Sequence, residues 1–388
     1  MRIVKDWINK QSLKNQLIEV FGKAGLYIDH QTRGGKIPIY PKIHDIKTDD
    51  KGTTYVFTIP NGLDPDKVEK KMYCFQQILG KNIKINGDIK RFVLNVYHQE
   101  MTLKQYNYDY RKIRPLFTSQ KLPIVAGKDE FGNFLVYDMV EHPHILIAGE
   151  TGSGKSSMLR TILTTLIQSK KASQLQLYLG DLKRSEFHFL GRVEHVKGIY
   201  KHKSKLEIAL LSLKLELEKR GDLLDELELS HIDDYNKTLQ EKLPYIVLCI
   251  DEVALLHGEE DVMDILDDIA AAGRALGMFL ILSMQRPDAE VLNGRIKSNL
   301  TVRMAFQSAD KLNSRIILGQ EGAEELKQAG EMIIKLKNTM HIQAPYLDLK
   351  EAKKIVKPYI VEKHIDERSD TFVTQENIFG VLDDENER

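Results

Sequence analysis

Cysteine is nearly absent from this 388-residue chain. Cys74 and Cys249 both sit in apolar patterns. That excludes a disulfide framework or a thiolate zinc cluster, and a reduced, cytoplasmic protein is expected. Tryptophan occurs once. No apolar run approaches the roughly 18 residues of a membrane span. Lys5, Asp6 and Lys10 interrupt the apolar core that a signal peptide would need. Net charge is lacking too: 56 Lys and Arg face 56 Asp and Glu. The balance is uneven, however. Residues 1–120 hold 21 basic and 12 acidic side chains, a net of +9, and the remainder carries −9. A basic N-terminal part can face phosphate; a solvated surface accounts for it equally well.

What is present is a phosphate loop. Gly149 to Ser156 fit G-x-x-x-x-G-K-[ST], after the apolar His144–Ala148 and before a helical pattern. That strand–loop–helix context is what the motif requires. Gly149, Gly152 and Gly154 let backbone N–H groups turn inward. The helix beyond Lys155 points its positive end at phosphate. Lys155 adds a point charge, and the Ser156 hydroxyl can ligate Mg²⁺. Glu150, Thr151, Ser153 and Ser157 complete the expected nucleotide-binding stretch, with ATP and Mg²⁺ as expected ligands.

Around this loop the chain reads as two parts. Residues 1–100 suggest a small α+β domain. An amphipathic helix carries Ile8, Leu13, Leu17, Ile18 and Phe21 and ends near Gly22 or Gly25. Strands follow around Lys42–Ile46 and Thr53–Ile59. A helix runs from Asp64-Pro65 to about Leu79, and Asn86-Gly87 signals a hairpin whose second strand is near Arg91–Tyr97. Residues 101–120 read as a linker. Its Tyr106, Tyr108 and Tyr110 beside Arg111, Lys112 and Arg114 suit a packed connector, or alternatively a grip on nucleic acid. From 121 to about 360, short buried strands alternate with helices, which predicts an α/β fold with a mostly parallel sheet covered on both faces. Residues 361–388, with 3 basic and 9 acidic side chains, suit a disordered acidic tail.

A second motif lies about 100 residues after the loop. The apolar run Tyr245–Ile250 ends in Asp251-Glu252. Asp251 can support Mg²⁺ and Glu252 can deprotonate an attacking water. Gln285, in Ser283-Met284-Gln285-Arg286-Pro287, is a candidate sensor of the γ-phosphate. Arg274, Arg303 and Arg315 are candidates for a finger donated to a neighbour's nucleotide; Arg303 is the one assigned.

Residues of about 121–346 resemble the motor domain of the FtsK/SpoIIIE family. The likeness runs from Leu122-Pro123-Ile124-Val125-Ala126-Gly127 through the phosphate loop, Pro244–Glu252, Ala271-Ala272-Gly273 and Ser283–Pro287. It continues through Lys297–Gln307, Ser314–Gly319 and Gly322-Ala323-Glu324. The resemblance implies a RecA-like P-loop NTPase core, a homo-oligomeric ring of six subunits around double-stranded DNA, and ATP-driven translocation. Chromosome-segregating members carry membrane spans before the motor and a winged-helix module after it. Neither is expected here. The N-terminal α+β part and short C-terminus look more like the coupling proteins of Gram-positive plasmids and integrative conjugative elements. That implies recruitment to the inner face of the membrane, with a transfer channel or a relaxase as partner. The alternatives are a DNA pump for plasmid or chromosome segregation and a type VII-like secretion ATPase, the latter disfavoured by the single P-loop.

Overall fold

The computed structural model describes residues 2–32, 35–49, 52–97, 103–288, 290–292 and 294–361, with residues 2–9 described by backbone alone. The expected acidic tail therefore lies outside the described residues, apart from Val361. Two compact units divide the chain, Met1–Thr102 and Leu103–Arg388.

In the first unit a helix, α1 (Arg2–Ala24), precedes six strands: β1 (Ile28–Thr32), β2 (Gly35–Ile39), β3 (Lys42–Thr48), β4 (Gly52–Thr58), β5 (Ile83–Gly87) and β6 (Arg91–Tyr97). The last four form an antiparallel sheet in the order β3-β4-β6-β5. Leu17, Val20 and Phe21 of α1 pack on Tyr55, Phe57, Phe92 and Leu94 of that sheet. The Phe21 and Phe57 rings lie 5.0 Å apart, and Phe57 stacks on Phe92 at 5.6 Å. Helical and two-residue spacings thus present their apolar residues to one core. The expected single helix after Asp64 is broken at Lys71 (φ −105°) into α2 (Asp66–Lys70) and α3 (Met72–Leu79). The hairpin bend falls at residues 88–90 rather than at Asn86-Gly87, because Gly87 still pairs with Phe92. The β1–β2 hairpin is absent from the sequence reading, since nearly all its side chains are exposed and leave no apolar alternation.

The second unit is built on a ten-stranded sheet. Its strands are β7 (Pro123–Asp129), β8 (Phe134–Asp138), β9 (Ile145–Ala148), β10 (Leu175–Asp181), β11 (Val196–Tyr200), β12 (Tyr245–Asp251), β13 (Met278–Met284), β14 (Val302–Phe306), β15 (Glu331–Lys335) and β16 (Thr339–Gln343). The order is β11-β10-β12-β13-β9-β14-β15-β16-β7-β8. The six strands from β11 to β14 run parallel, and the remaining pairings are antiparallel. The helices are α4 (Tyr110–Ile113), α5 (Lys155–Ser169), α6 (Lys203–Glu226), α7 (Ile232–Thr238), α8 (Glu260–Leu276), α9 (Gly294–Asn299), α10 (Lys311–Leu318) and α11 (Leu349–Val356).

Two cores flank this sheet. Val247 and Cys249 of β12 join the core containing Ile162 and Leu166 of α5 and Val356 of α11. Ile246, Leu248 and Ile250 join the opposite core, with Leu206 and Leu210 of α6 and Ile265 and Ile269 of α8. A strand buried on both faces must be apolar at every position, which is why Tyr245–Ile250 reads as a continuous run.

The expected linker packs as a connector. The Tyr108 hydroxyl lies 2.8 Å from Thr165 Oγ1, and the Tyr110 hydroxyl donates to the Gln168 carbonyl at 3.1 Å. Lys128 places its ammonium 4.4 Å from the centre of the Tyr106 ring. Burial against α5 pushes the Tyr108 hydroxyl well above its ordinary pKa. These rings are engaged within the second unit and are not free to stack on bases.

Candidate nucleotide-binding site

Parallel pairing brings several strand ends to one edge. Asp181 of β10 pairs in register with Asp251 of β12, and Met284 of β13 with Ala148 of β9. This carboxyl edge is where open α/β sheets bind ligands.

The phosphate loop leaves that edge after β9. Gly149 (φ 153°) and Gly154 (φ 119°) adopt backbone that L side chains rarely take. They are also crowded: a Cβ on Gly149 would lie 2.6 Å from Phe306 Cβ, and one on Gly154 2.9 Å from the Gly330 nitrogen. The Ser153 hydroxyl donates to the Glu150 carbonyl at 2.7 Å, and the Gly330 N–H donates to the Ser153 carbonyl at 2.8 Å. The loop is thus pinned from both sides by its own chain. Lys155 opens α5 and is buried. Burial pushes its ammonium below the ordinary range, with the charges of Asp251 and Glu252 opposing that shift.

Burial likewise raises the Asp251 carboxyl, and Lys155 opposes it. The Ser283 hydroxyl donates to Asp251 at 3.2 Å. Glu252 follows in the left-handed region, φ 61°, at a cost of about 1–3 kcal/mol that the surrounding contacts offset. Its carboxylate accepts the Gln285 backbone N–H at 3.0 and 3.2 Å. It also meets the Lys183 ammonium at 2.6 Å.

Lys183 comes from the loop after β10. Fully buried Asp181 organises that loop. It accepts the backbone N–H groups of Ser185 at 2.9 Å, Glu186 at 3.3 Å and Phe187 at 3.1 Å. The same loop delivers Glu186, which accepts the Ser156 hydroxyl at 2.5 Å and pairs with Arg160 at 3.2 Å. The Ser156 hydroxyl and the carboxylates of Asp251 and Glu186 are hard oxygen donors, the chemistry that suits Mg²⁺.

Lys155, Ser156, Arg160, Lys183, Glu186, Asp251 and Gln285 line one cavity of about 520 Å³, which extends to Gln105, Ala329, Pro345 and Tyr346, while Glu252 lines a smaller pocket that shares Gln285 with it. The cavity gathers Glu150 to Ser157 (Ser153 excepted), together with Asp251 and Gln285. Two of the expected residues bond within their own chain. Ser157 turns its hydroxyl away from the loop: it donates to the Pro345 carbonyl at 3.2 Å and accepts the Leu347 N–H at 2.8 Å. Arg303 is engaged within its own chain. Its guanidinium donates to the carbonyls of Lys297 at 2.6 Å, Leu300 at 3.3 Å and Ile317 at 3.4 Å. It ties α9 and α10 to β14 within its own chain. Arg274 and Arg315 are exposed, and Arg315 pairs with Glu321. Asp181, Lys183, Glu186 and Arg160 escape the sequence reading. The available signal was a strand ending in Gly180-Asp181, parallel to the one ending in Asp251, followed within five residues by a lysine and a glutamate.

Residues 116–289 match the model of the FtsK/SpoIIIE family. This part of the chain belongs to the FtsK/SpoIIIE family. FtsK/SpoIIIE domains are P-loop ATPases, and the loop, carboxylates and sheet described above are those of such a domain. Curated relatives agree. DNA translocase FtsK of Chlorobaculum tepidum is 36% identical over 253 residues, 61% of this chain and 32% of that protein. DNA translocase FtsK of Leptospira interrogans serovar Lai is 30% identical over 356 residues, 84% of this chain and 37% of that protein. The chain thus spans about a third of the length of these relatives. Among solved structures, the pCW3 conjugation coupling protein TcpA, determined with ATPγS, is 28% identical with a TM-score of 0.58 over 82% of this chain and 94% of that one. EssC (ATPases 2 and 3) of Geobacillus thermodenitrificans shares the fold at 22% identity and a TM-score of 0.59, over 67% and 52% of the two chains.

Proposed function

We propose that this protein is an ATP-hydrolysing translocase of double-stranded DNA that acts as a ring of identical subunits in conjugative or plasmid DNA transfer. The observation that carries this reading is the convergence of Lys155, Ser156 and Asp251 in one cavity of an FtsK/SpoIIIE domain, with Glu252 held beside it by Lys183 and the Gln285 N–H. The DNA translocases among its relatives and the likeness to TcpA support the substrate and the setting.

Hydrolysis uses this chain's residues as follows. The loop N–H groups and Lys155 hold the β- and γ-phosphates. Ser156 and Asp251, with Glu186 beside them, would hold Mg²⁺, which supplies positive charge to the phosphate oxygens. Glu252 takes a proton from the water whose oxygen bonds to the γ-phosphorus as the bond to ADP breaks. The Gln285 side chain, at the cavity wall, is placed to report the γ-phosphate. Arg303, Arg274 and Arg315 are the candidates for a neighbour's finger. The basic first unit supplies cations for DNA phosphate, contacts that carry little sequence information. No described helix is long and apolar enough to cross a membrane; a channel or relaxase partner would bring the motor to its transfer site.

Double-stranded DNA is expected to raise the ATPase rate several-fold at low salt, where phosphate contacts are strongest. A rate that stays flat across DNA concentrations contradicts a DNA motor. Stimulation by a secretion-substrate peptide instead would favour a type VII-like role, for which the likeness to EssC supplies the fold alone.

A further inference from the structure

The sheet order fixes which way a nucleotide runs across the site. The phosphate loop follows β9. Asp251 ends β12, two strands to one side, and Gln343 ends β16, three strands to the other. At about 4.8 Å between neighbouring strands, β16 lies about 14 Å from β9. The cavity reaches both sides: Asp251 and Gln285 line one flank, and Gln105, Gln343, Pro345 and Tyr346 line the other. With Asp251 assigned to the metal beside the terminal phosphates, the ribose and base leave the loop toward β16.

That flank is held by its own chain. The Tyr346 N–H donates to the Tyr106 carbonyl at 2.8 Å, and the Tyr346 carbonyl accepts the Tyr108 N–H at 2.9 Å. Both bonds fix the backbone, while the side chain leaves the residue 56% exposed at the cavity wall. An aromatic face on a fixed backbone is a platform for a base, because every base has a π-face. Two amides meet beside it. The nitrogens of Gln105 and Gln343 both donate to the Ala329 carbonyl, each at 3.1 Å. A carbonyl only accepts, so these bonds fix which end of each amide is nitrogen. Gln343 is buried and Gln105 is exposed. Beyond its bond to Ala329, the Gln105 amide carries one further N–H and its carbonyl oxygen. A donor beside an acceptor complements adenine, which offers its N6 amino group next to the N7 acceptor. Guanine offers O6 and N7 there, two acceptors.

We propose that Gln105 and Tyr346 form the nucleobase subsite of this cavity, with Tyr346 stacking on the base and Gln105 selecting adenine over guanine. The assignment rests on the ATPase reading above and adds the base to it.

The test is equilibrium binding of ATPγS and of GTPγS, each with Mg²⁺, to the full chain. The wild-type chain is expected to prefer ATPγS by about tenfold or more. Gln105→Leu is expected to weaken ATPγS about tenfold and to move GTPγS by less than about twofold, so that the preference collapses. Gln343 still bonds the Ala329 carbonyl in that variant, which keeps the wall in place. Tyr346→Ala is expected to weaken both nucleotides about tenfold, since stacking tolerates any base, and Tyr346→Phe to bind both as wild type does. A Gln105 that only props the chain predicts equal losses for both nucleotides in Gln105→Leu, and that result overturns the selection. A Tyr346→Ala variant with wild-type affinities overturns the platform. A wild-type chain that binds neither nucleotide overturns the ATPase reading and the subsite with it; binding of both without preference overturns the selection alone.

Discussion

Glu252→Gln is expected to slow ATP hydrolysis by roughly 10²–10⁴-fold, the usual worth of a general base, while ATP still binds. The amide fills the same space and can still accept the Gln285 N–H, so the strand end keeps its shape. It cannot take a proton from water. Its place next to Asp251, bonded to the backbone of Gln285, makes it the best-situated carboxylate for that task; Glu186 is occupied by Ser156 and Arg160. Single-turnover hydrolysis measured beside ATPγS binding separates the chemical step from affinity. Near-normal turnover would remove Glu252 as the base.

Asp181→Ala is expected to have the largest effect on stability. Asp181 touches no expected ligand, yet its buried carboxylate satisfies three backbone N–H groups. Leaving them unpaired costs about 1–3 kcal/mol for the buried Phe187 N–H and less for each of the part-buried Ser185 and Glu186 N–H groups, which water can reach. The loop that places Lys183 and Glu186 would then lose its shape, and hydrolysis would fall together with the unfolding midpoint. Asp181→Asn keeps one acceptor oxygen and should lie between wild type and alanine. Thermal unfolding followed with ATPase assays on the same samples checks both effects. An alanine variant with wild-type Tm and full turnover would show that the loop is held by something else.

Much of the second unit can be read from the chain because its signals are local. Tyr245–Ile250 is apolar at every position since both its faces are covered, and that same run places Asp251 and Glu252 at the carboxyl edge. Gly149–Ser156 carries its function in the backbone. The misses share a cause as well: they depend on partners distant in sequence. Lys183 is significant because of Glu252, 69 residues away. Ser157 turns aside because Pro345 and Leu347 are waiting, 188 and 190 residues on. In the first unit the β1–β2 hairpin is held by its backbone ladder and shows no apolar alternation to read.

The central claim is movement along DNA, and binding or hydrolysis alone does not establish it. The most direct measurement is ATP-dependent displacement of a third-strand oligonucleotide from linear duplex DNA by the full chain. The expected result is displacement that requires hydrolysable ATP, is delayed in proportion to the duplex length leading to the triplex, and is lost in Glu252→Gln. ATP hydrolysis stimulated by duplex DNA with the triplex left intact at every length would contradict a translocase.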